Sequence, residues 1–585
     1  MKYKLRNTYP TDPQLALEAI LKDRGVKNVE AFICPSKEDE NYPYDLENID
    51  LAANLLIEYL REDKRICFII DQDCDGFTSS AILWLYIKHL FPNAKLTFTI
   101  HERKQHGIED KIDWVIDYDI CDLLIVPDAG SYNFKEHKLL YDAGIKCICL
   151  DHHLPPDEQL PNLEQVIVVN NQLSPHYPNK SLCGAGVVYK FCEVLDDKLG
   201  IQLAHNYIDL AALGEIADVM DRTDIETNYI MIEGLKNIRN KGFCALLDSQ
   251  AFPLKERGIY PYKGLTPTDV AFYIAPLINA ITRVGSMVEK ENMFYCFIEP
   301  DRLVQSTKRG ALPTDTETAA EATARCGKNA KSRQDKAKER ALDIVDFKIQ
   351  KNQLNDNNII FVELSPDDNI QQELTGLIAM NVVNKYQKPC MIGRRNNQNE
   401  VQGSIRNNEN FSGMPSFKKF LEESKLLNYV AGHENSAGYG ISADKILPFI
   451  QYCNSILNAT DFETCYHVDY ILDANDNNNE LIYSLVKHPE YYGNHIEEPT
   501  FVIKNIQLAQ VMAMGQNKDS MKISYNGIDY VRFKDEDFVE QVLTNRAQLL
   551  TVYGRGNINT FAGKTSLQIF ITDYEFVKDE HKYDF

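Results

Sequence analysis

The sequence has no uninterrupted apolar run of 18 residues, so we expect no membrane-spanning helix. The first nine residues carry charge and no apolar segment follows them, so we expect no signal peptide. The 14 cysteines lack paired Cys-x-x-Cys spacing, and several lie in apolar, strand-like stretches. This usage indicates buried thiols in a reducing cytoplasm and argues against a disulfide framework or a structural zinc site.

Basic residues are also fewer than acidic ones, 62 against 85, which gives a net charge of −23. A surface that is basic overall is therefore excluded, and a polyanion would have to be held by local Arg and Lys clusters or by metal ions. Apolar residues make up 44% of the chain and charged residues 25%, which is typical of a folded globular protein. A chain of 585 residues is too long for one core and predicts about three or four domains.

The most informative stretch is DQDCDG at residues 71–76, which follows an apolar run predicted to be a buried parallel strand. A helix is predicted after it, capped by Thr78, Ser79 or Ser80. In an extended segment, alternate side chains face the same way, so the three Asp oxygens would point at one place. Three close carboxylates repel each other without a cation, and hard divalent cations prefer such ligands. The alternative is a solvated acidic turn in which Asp71 or Asp73 caps the helix.

Four further short apolar runs alternate with helical or loop segments, which predicts repeated βαβ units and a mostly parallel sheet. The runs are residues 96–100, 123–126, 147–150 and 166–169. Ligands collect beyond the carboxyl ends of such strands. Two runs end in acids there, Asp128 and Asp151, and His152 and His153 follow the second. The mixture predicts a Mn²⁺ or Mg²⁺ site, although a surface turn remains the alternative for the His pair alone.

Residues 311–352 form a basic stretch with a helical apolar stripe, which predicts a long helix joining two domains. It either presents a solvated face or lines a path for a phosphate backbone. A second α/β domain is predicted from residue 353, and a β-rich segment from residue 466 predicts a small barrel. Its candidates for contacting nucleic acid are Tyr525, Tyr530, Arg532, Arg555 and Lys564. The alternative for the two tyrosines is that they pack in the core of the barrel.

The acidic motif, Asp128 and the Asp-His-His triplet resemble, in this order, the DHH phosphoesterase superfamily. Later motifs narrow the resemblance to the RecJ exonucleases: SLCGAG at 181–186, ALGEIADV at 212–219 and APLINAITR at 275–283. Leu277 stands where that family usually has Arg, so one DNA or phosphate contact is expected to be missing or supplied elsewhere. GSIR at 403–406 and GHENSAG at 432–438 resemble signatures of the DHH-associated domain, with Ala431 replacing a Gly. By themselves these two read equally well as ordinary loops.

The resemblance implies an α/β fold: a DHH-type parallel-sheet domain (1–310), a basic connecting helix (311–352), a second α/β, DHH-associated domain (353–465) and a C-terminal OB-type β-barrel (466–585). It implies two divalent metal ions, Mn²⁺ or Mg²⁺, with His153 near the scissile phosphate. The implied metal ligands are Asp71, Asp73, Asp75, Asp128, His152 and Asp218, which with His153 form the catalytic set. Without the resemblance, Asp218 would be interpreted as a solvated carboxylate or helix cap. The implied DNA or phosphate contacts are Arg103, Asn279, Arg283, Ser404, Arg406 and His433.

The function implied is a metal-dependent 5′→3′ exonuclease that degrades single-stranded DNA to 5′-mononucleotides in DNA repair, recombination or replication. Single-stranded DNA with a 5′ end is the expected partner, with a single-strand-binding protein or helicase as a further one. A cytoplasmic monomer that does not contact membranes is expected. One alternative is a phosphodiesterase of short oligonucleotides or cyclic dinucleotides, although such enzymes generally lack the barrel. The other is a non-catalytic replication scaffold, although such relatives have usually lost acids of the metal motifs.

Overall fold

The computed structural model describes residues 1–578 apart from 103–106, 155–159, 257, 260, 409, 412–413, 415, 459–461, 463 and 562–563. Three large sheets follow one another along the chain, and the main hydrophobic cores lie against them. Within the described residues, no helix combines the length and the apolar character needed to cross a bilayer.

The N-terminal region is built on a five-stranded sheet in which every neighbouring pair is parallel. Its elements are β1 (Lys2–Leu5), α1 (Pro13–Asp23), α2 (Val29–Ile33), α3 (Ile49–Arg61), β2 (Arg65–Ile70), α4 (Cys74–Leu90), β3 (Lys95–Ile100), α5 (Ile112–Asp117), β4 (Leu123–Pro127), α6 (Phe134–Asp142), β5 (Lys146–Asp151) and β6 (Ile167–Asn170). The strand order is β3-β2-β4-β5-β6. The pairings confirm the predicted parallel sheet. Its apolar strands are covered by a core on each face, as is usual for a parallel sheet.

A helical layer follows the sheet and leads into a short hairpin. Its elements are α7 (Gly184–Leu199), α8 (Ile208–Ala217), α9 (Ile225–Lys236), α10 (Lys241–Ser249), α11 (Ala251–Glu256), α12 (Pro267–Tyr273), α13 (Ala275–Val284), α14 (Met287–Ile298), β7 (Leu303–Gln305) and β8 (Thr316–Thr318). Helices α7 and α8 pack against α4, which places their motifs beside the acidic turn.

The connecting helix, α15 (Ala319–Lys351), has 33 residues and begins at a capping box formed by Thr318 and Glu321. Cys326 and Ala330 belong to the first core, whereas Val345 belongs to the second, so the helix packs against both regions. It begins later than residue 311 because residues 316–318 form β8. Several of its basic side chains are paired: Arg325 with Glu317 at 2.6 Å, Lys331 with Asp335 at 2.5 Å and Arg333 with Glu289 at 2.9 Å.

The second α/β region contains a five-stranded mixed sheet of order β12-β13-β11-β10-β9. Its elements are β9 (Ile360–Leu364), α16 (Thr375–Tyr386), β10 (Cys390–Arg395), β11 (Glu400–Arg406), α17 (Phe417–Ser424), β12 (Tyr429–His433), β13 (Ser436–Ser442) and α18 (Ile446–Ile456). Strand β11 lies in the middle of the sheet, which places Ser404 and Arg406 on a rigid element.

The C-terminal region contains a seven-stranded mixed sheet of order β15-β16-β20-β21-β19-β18-β17. Its elements are β14 (Cys465–Val468), β15 (Tyr470–Asp473), α19 (Asn479–Val486), β16 (Thr500–Gln507), β17 (Gln510–Met514), β18 (Ser520–Tyr525), β19 (Ile528–Arg532), α20 (Glu536–Thr544), β20 (Leu549–Phe561) and β21 (Lys564–Val577). The start of the chain packs here: β1 pairs with β14, and Ala16 and Ile20 of α1 enter this core.

Most of the C-terminal candidates for contacting nucleic acid have protein partners. Tyr530 is fully buried, so for this residue the alternative holds that the aromatic side chains belong to the core. Arg532 pairs with Asp535 at 2.5 Å, and the Tyr525 hydroxyl donates to Asn475 Oδ1 at 2.6 Å. Arg555 lies 3.7 Å from Glu498, and the side chain of Lys564 is outside the described part of the structure.

Candidate active site

The acidic motif lies at the start of α4, and the cap is Asp73, as the alternative reading stated, and not Thr78, Ser79 or Ser80. The Asp73 carboxylate accepts a 3.1 Å hydrogen bond from the Gly76 amide and caps a helix that already begins at Cys74. The Thr78 hydroxyl instead donates to the Cys74 carbonyl oxygen at 3.0 Å within the helix. Asp75 therefore lies in the first helical turn, and the assumption of an extended segment that aims all three acids at one place does not hold.

The acids divide between adjacent clusters. Ligand atoms of Asp71, Asp73 and Asp128 lie within 4.8 Å of one another, and so do those of Asp75, His152 and Asp218. Asp128 also groups with His152 and His153, so it lies where the clusters meet. His152 Nε2 is 3.2 Å from Asp128 Oδ1, 3.6 Å from Asp218 Oδ2 and 3.7 Å from Asp75 Oδ2. The structure thus brings together all seven residues proposed as catalytic, from four separate parts of the chain.

Two helix N-termini support these carboxylates. Asp75 is buried, and its carboxylate accepts hydrogen bonds from the amides of Gly184 at 2.6 Å and Ala185 at 2.8 Å, at the start of α7. Helix N-termini favour negative charge because their first amides lack intrahelical partners. Asp73 likewise accepts a hydrogen bond from a backbone amide in the first turn of α4. The helices therefore stabilise two of the charges that the clusters concentrate.

Glycines allow the motifs to approach each other. A Cβ at Gly184 would lie 2.5 Å from Asp128 Cβ, and one at Gly214 would lie 2.7 Å from Asp75 Oδ1. Each distance is too short for two non-bonded heavy atoms, so a larger residue would displace an acid of the site. Asp128 itself adopts a left-handed conformation with φ of 65°, which is uncommon for a residue with a side chain.

The electrostatics of Asp128 and His152 favour the binding of a cation. Burial, followed by the charges of Asp75, Asp73 and Asp71, raises the pKa of Asp128 well above its usual range. Burial lowers the pKa of His152, so a neutral imidazole faces the carboxylates. Asp128 Oδ1 is buried and has no hydrogen-bond donor among the described residues. The site therefore offers carboxylate oxygens and a neutral imidazole nitrogen as ligand atoms, and this combination fits Mn²⁺ or Mg²⁺.

Asp151 holds the two histidines and lies outside these metal-type clusters. It accepts hydrogen bonds from His153 Nδ1 at 2.7 Å and from the backbone amides of His152 and Ser131 at 2.7 and 3.0 Å. Burial lowers the pKa of His153, but the hydrogen bond to Asp151 and nearby negative charges raise it to about 9. His153 is therefore protonated at neutral pH and presents a positive charge beside the site.

Glu215 was not singled out from the sequence. It is buried, its Oε1 accepts a 3.3 Å hydrogen bond from the Cys183 amide, and its Oε2 has no donor among the described residues. Burial and then the charge of Asp75 raise its pKa well above the usual range. The signal that could have revealed it is an acid inside the apolar helix α8.

The candidate phosphate contacts come from two regions. Asn279 and Arg283 lie four residues apart on α13, and Arg283 interacts electrostatically with Asp73. Burial, and then the charge of Arg283, lowers the pKa of Arg406, so the charges of these two arginines lie within electrostatic range of each other. The Ser404 and Thr375 hydroxyl oxygens are 2.9 Å apart. Arg103 and the His433 side chain lie outside the part of the chain that the structure describes.

Leu277 occupies the face of α13 that contacts the connecting helix. It is buried, and a Cβ at Gly327 of α15 would lie 3.1 Å from Leu277 Cβ. Residues 279 and 283 lie on a different face of the same helix, because successive positions rotate by about 100°. Leu277 thus packs against α15.

Comparisons with known proteins agree with this arrangement. The DHH family N-terminal domain matches residues 65–215, and the RecJ OB domain matches residues 468–573. A Bacillus subtilis protein provisionally described as an SPbeta prophage-derived single-strand DNA-specific exonuclease is 35% identical over 100% of this chain and 99% of its own length.

More distant relatives extend the comparison. The single-stranded-DNA-specific exonuclease RecJ of B. subtilis is 24% identical over 95% of this chain and 67% of its own. The crystal structure of Thermus thermophilus RecJ in complex with Mn²⁺ matches with a TM-score of 0.70 at 21% identity, covering 99% of this chain and 80% of that one. This structural match shows that the two proteins share a fold, and the OB-domain match confirms the predicted class of the C-terminal region.

Proposed function

The chain belongs to the RecJ family of single-stranded-DNA-specific exonucleases within the DHH superfamily, and we propose that it hydrolyses single-stranded DNA stepwise from the 5′ end. The observation that carries this proposal is the convergence of six metal-type ligands, and Arg283, whose charge interacts with those of Asp73 and Arg406, lies within electrostatic range of them. The ligands would hold divalent ions, and the arginines would hold phosphate.

Asp71, Asp73 and Asp128 are proposed to hold one ion, and Asp75, His152 and Asp218 a second, with Asp128 close to both. Bound Mn²⁺ or Mg²⁺ would lower the pKa of a water molecule and stabilise the charge that develops on the phosphoryl oxygens. His152, held neutral by burial, offers a lone pair to the second ion. His153, held protonated by Asp151, donates towards the scissile phosphate.

The 5′ polarity is the one that the family resemblance implies, and we propose that two arginines hold the phosphate at that end. Arg283 and Arg406 carry like charges that disfavour each other unless an anion lies between them, and a terminal phosphate is such an anion. Asn279 lies four residues before Arg283 on α13 and Ser404 two residues before Arg406 on β11, so both would add neutral hydrogen-bonding groups beside the arginines. A terminus fixed beside the metal ligands would limit cleavage to the first linkage and release 5′-mononucleotides.

We further infer that the protein works as a cytoplasmic monomer in DNA repair, recombination or replication. In that setting a helicase or single-strand-binding protein would supply the strand. Single-stranded DNA itself is the substrate that the family relation supports.

The test uses oligonucleotides labelled at either end, as single strands and as blunt duplexes, with Mn²⁺. We expect 5′-mononucleotides from the single strand and little release from the duplex. Equal cleavage of both forms, or shortening from the 3′ end, would contradict the proposal. Dinucleotides and cyclic dinucleotides serve as competing substrates, and faster turnover of these would favour a small-substrate phosphodiesterase. Binding of the strand without any cleavage would favour a scaffold.

A further inference from the structure

Asp218 lies in the turn that ends α8, and the residue after it, Val219, adopts a left-handed backbone conformation that valine disfavours. The Met220 amide donates to the Glu215 carbonyl oxygen at 3.0 Å, and the Val219 amide donates to that of Ile216 at 3.3 Å. This pair of bonds defines a Schellman motif, whose left-handed position usually holds glycine. Here the position is held by Val219, with φ of 58°. A β-branched residue is strained in that conformation, so the turn needs support from elsewhere.

The support comes from a loop of the C-terminal region, residues 488–496, between α19 and β16. His495 Nε2 lies 3.1 Å from the Val219 carbonyl oxygen, and because a carbonyl only accepts, the imidazole donates. Asn494 Nδ2 donates longer hydrogen bonds to the carbonyl oxygens of Glu215 at 3.4 Å and Ile216 at 3.5 Å. Two adjacent side chains of this loop thus contact three carbonyls of the turn that carries Asp218.

The loop is itself fixed to the N-terminal region. The buried guanidinium of Arg222 donates to the carbonyl oxygens of Tyr492 and Glu490, both at 2.9 Å. Tyr492 and Ile496 pack in a small core with Leu21, Val26 and Phe32. Arg222 follows Asp218 by four residues, so the loop holds the turn on both sides of the acid. Asn494 and His495 are half-buried and exposed, respectively, so they are not part of that core.

We propose that Asn494 and His495 are positioning residues that hold the strained turn and thereby set Asp218 in its place among the metal ligands. The inference rests on the proposed function, because it takes Asp218 to be a ligand. It assigns to the C-terminal region a part in completing the metal site of the N-terminal region, besides any contact with DNA. Affinity for the metal should therefore depend on two residues that do not touch it.

The test is a double variant, Asn494→Gly with His495→Asn, in the full-length protein. Both replacements tolerate the left-handed conformations at these positions, φ of 39° and 72°, so they add no backbone strain. Glycine removes the Asn494 donor, and the asparagine amide is too short to reach as far as the His495 Nε2 atom. Binding of Mn²⁺ is measured by the electron paramagnetic resonance signal of the free ion, which does not depend on catalysis. We expect a Kd about tenfold higher, the lower end of the effect of removing outer partners of a metal ligand. Lost kcat should return at saturating Mn²⁺, with KM for DNA unchanged.

The matched control is Asn526→Gly. Asn526 is also left-handed, with φ of 47°, and its Nδ2 donates to the carbonyl oxygens of Ala474 at 3.0 Å and Asp476 at 3.1 Å, all within the C-terminal region. It should lose comparable hydrogen bonding and keep wild-type Mn²⁺ affinity. Adding Val219→Gly to the double variant should restore most of the affinity, because glycine adopts the left-handed conformation without support.

The outcomes separate the two proposals. A wild-type protein that neither binds Mn²⁺ nor cuts single-stranded DNA overturns the proposed function, and the positioning role falls with it. A wild-type protein that does both, with a double variant of equal Mn²⁺ affinity, overturns only the positioning role. Equal losses in the double variant and in Asn526→Gly would also overturn it, since the effect would then be one of general stability.

Discussion

The Asp73 carboxylate accepts a hydrogen bond from the Gly76 amide and so caps α4, while it also groups with Asp71 and Asp128 as a candidate metal ligand. One side chain therefore has a structural and a chemical task. The two tasks can be separated because asparagine caps helices about as well as aspartate but is a weaker ligand for a hard cation.

We expect Asp73→Asn to lose nearly all exonuclease activity with little change in the free energy of unfolding. Asp73→Ala should lose the same activity and in addition about 1 kcal/mol of stability, the usual effect of removing an N-cap. Activity assays with chemical denaturation of both variants in chelator provide the measurement. Equal stability of the two variants would contradict the capping role, and an active Asp73→Asn would contradict the role as ligand.

Mn²⁺ should stabilise the protein against heat. The buried, mutually repelling carboxylates raise the pKa of Asp128, and a cation removes that repulsion. At a Mn²⁺ concentration 100 times the Kd, mass action adds about 2.7 kcal/mol to the free energy of unfolding for each ion bound. Differential scanning fluorimetry in chelator and in Mn²⁺ gives the shift in Tm. Asp128→Asn should be at least as stable as wild type in chelator and should gain little from Mn²⁺.

Gly184→Ala should damage the site through packing alone. The added Cβ would meet Asp128 Cβ at 2.5 Å, so α7 or Asp128 must move, at about 1–3 kcal/mol. We expect activity to fall by at least tenfold. The control is Gly144→Ala, where φ is 78° and no atom lies within 4 Å of the new Cβ. That variant should lose about 1–2 kcal/mol from backbone strain and keep its activity in the same assay.

Arg406→Gln should weaken recognition of a terminal phosphate. A hydrogen bond to a charged group contributes about 1.5–3 kcal/mol, so KM for a 5′-phosphorylated strand should rise about tenfold or more with kcat little changed. A strand with a 5′-hydroxyl should show a much smaller difference. Arg395→Gln is the matched control, because that arginine lies in the same sheet and pairs with Glu363 at 2.7 Å. A fall in kcat alone would contradict a binding role for Arg406.

Local patterns in the sequence were sufficient for much of the fold. The apolar run at 66–70 became β2, and the runs that end before Asp128 and at Leu150 became β4 and β5. Such runs are reliable because a strand buried on both faces is almost wholly apolar. The start of α4 was predicted less accurately. Asp, Thr and Ser are all good caps, and only the folded geometry selects Asp73.

The sequence by itself determined that acids stand at the ends of parallel strands, and chain connectivity then brings those ends to one edge of the sheet. Only the tertiary structure decided how the acids divide into clusters, that the N-terminus of α7 meets Asp75, and that a loop 276 residues away along the chain supports the turn of Asp218. The reason is physical. Helices and strands follow from interactions among near neighbours in sequence, whereas these contacts exist only once separately formed elements have packed against one another.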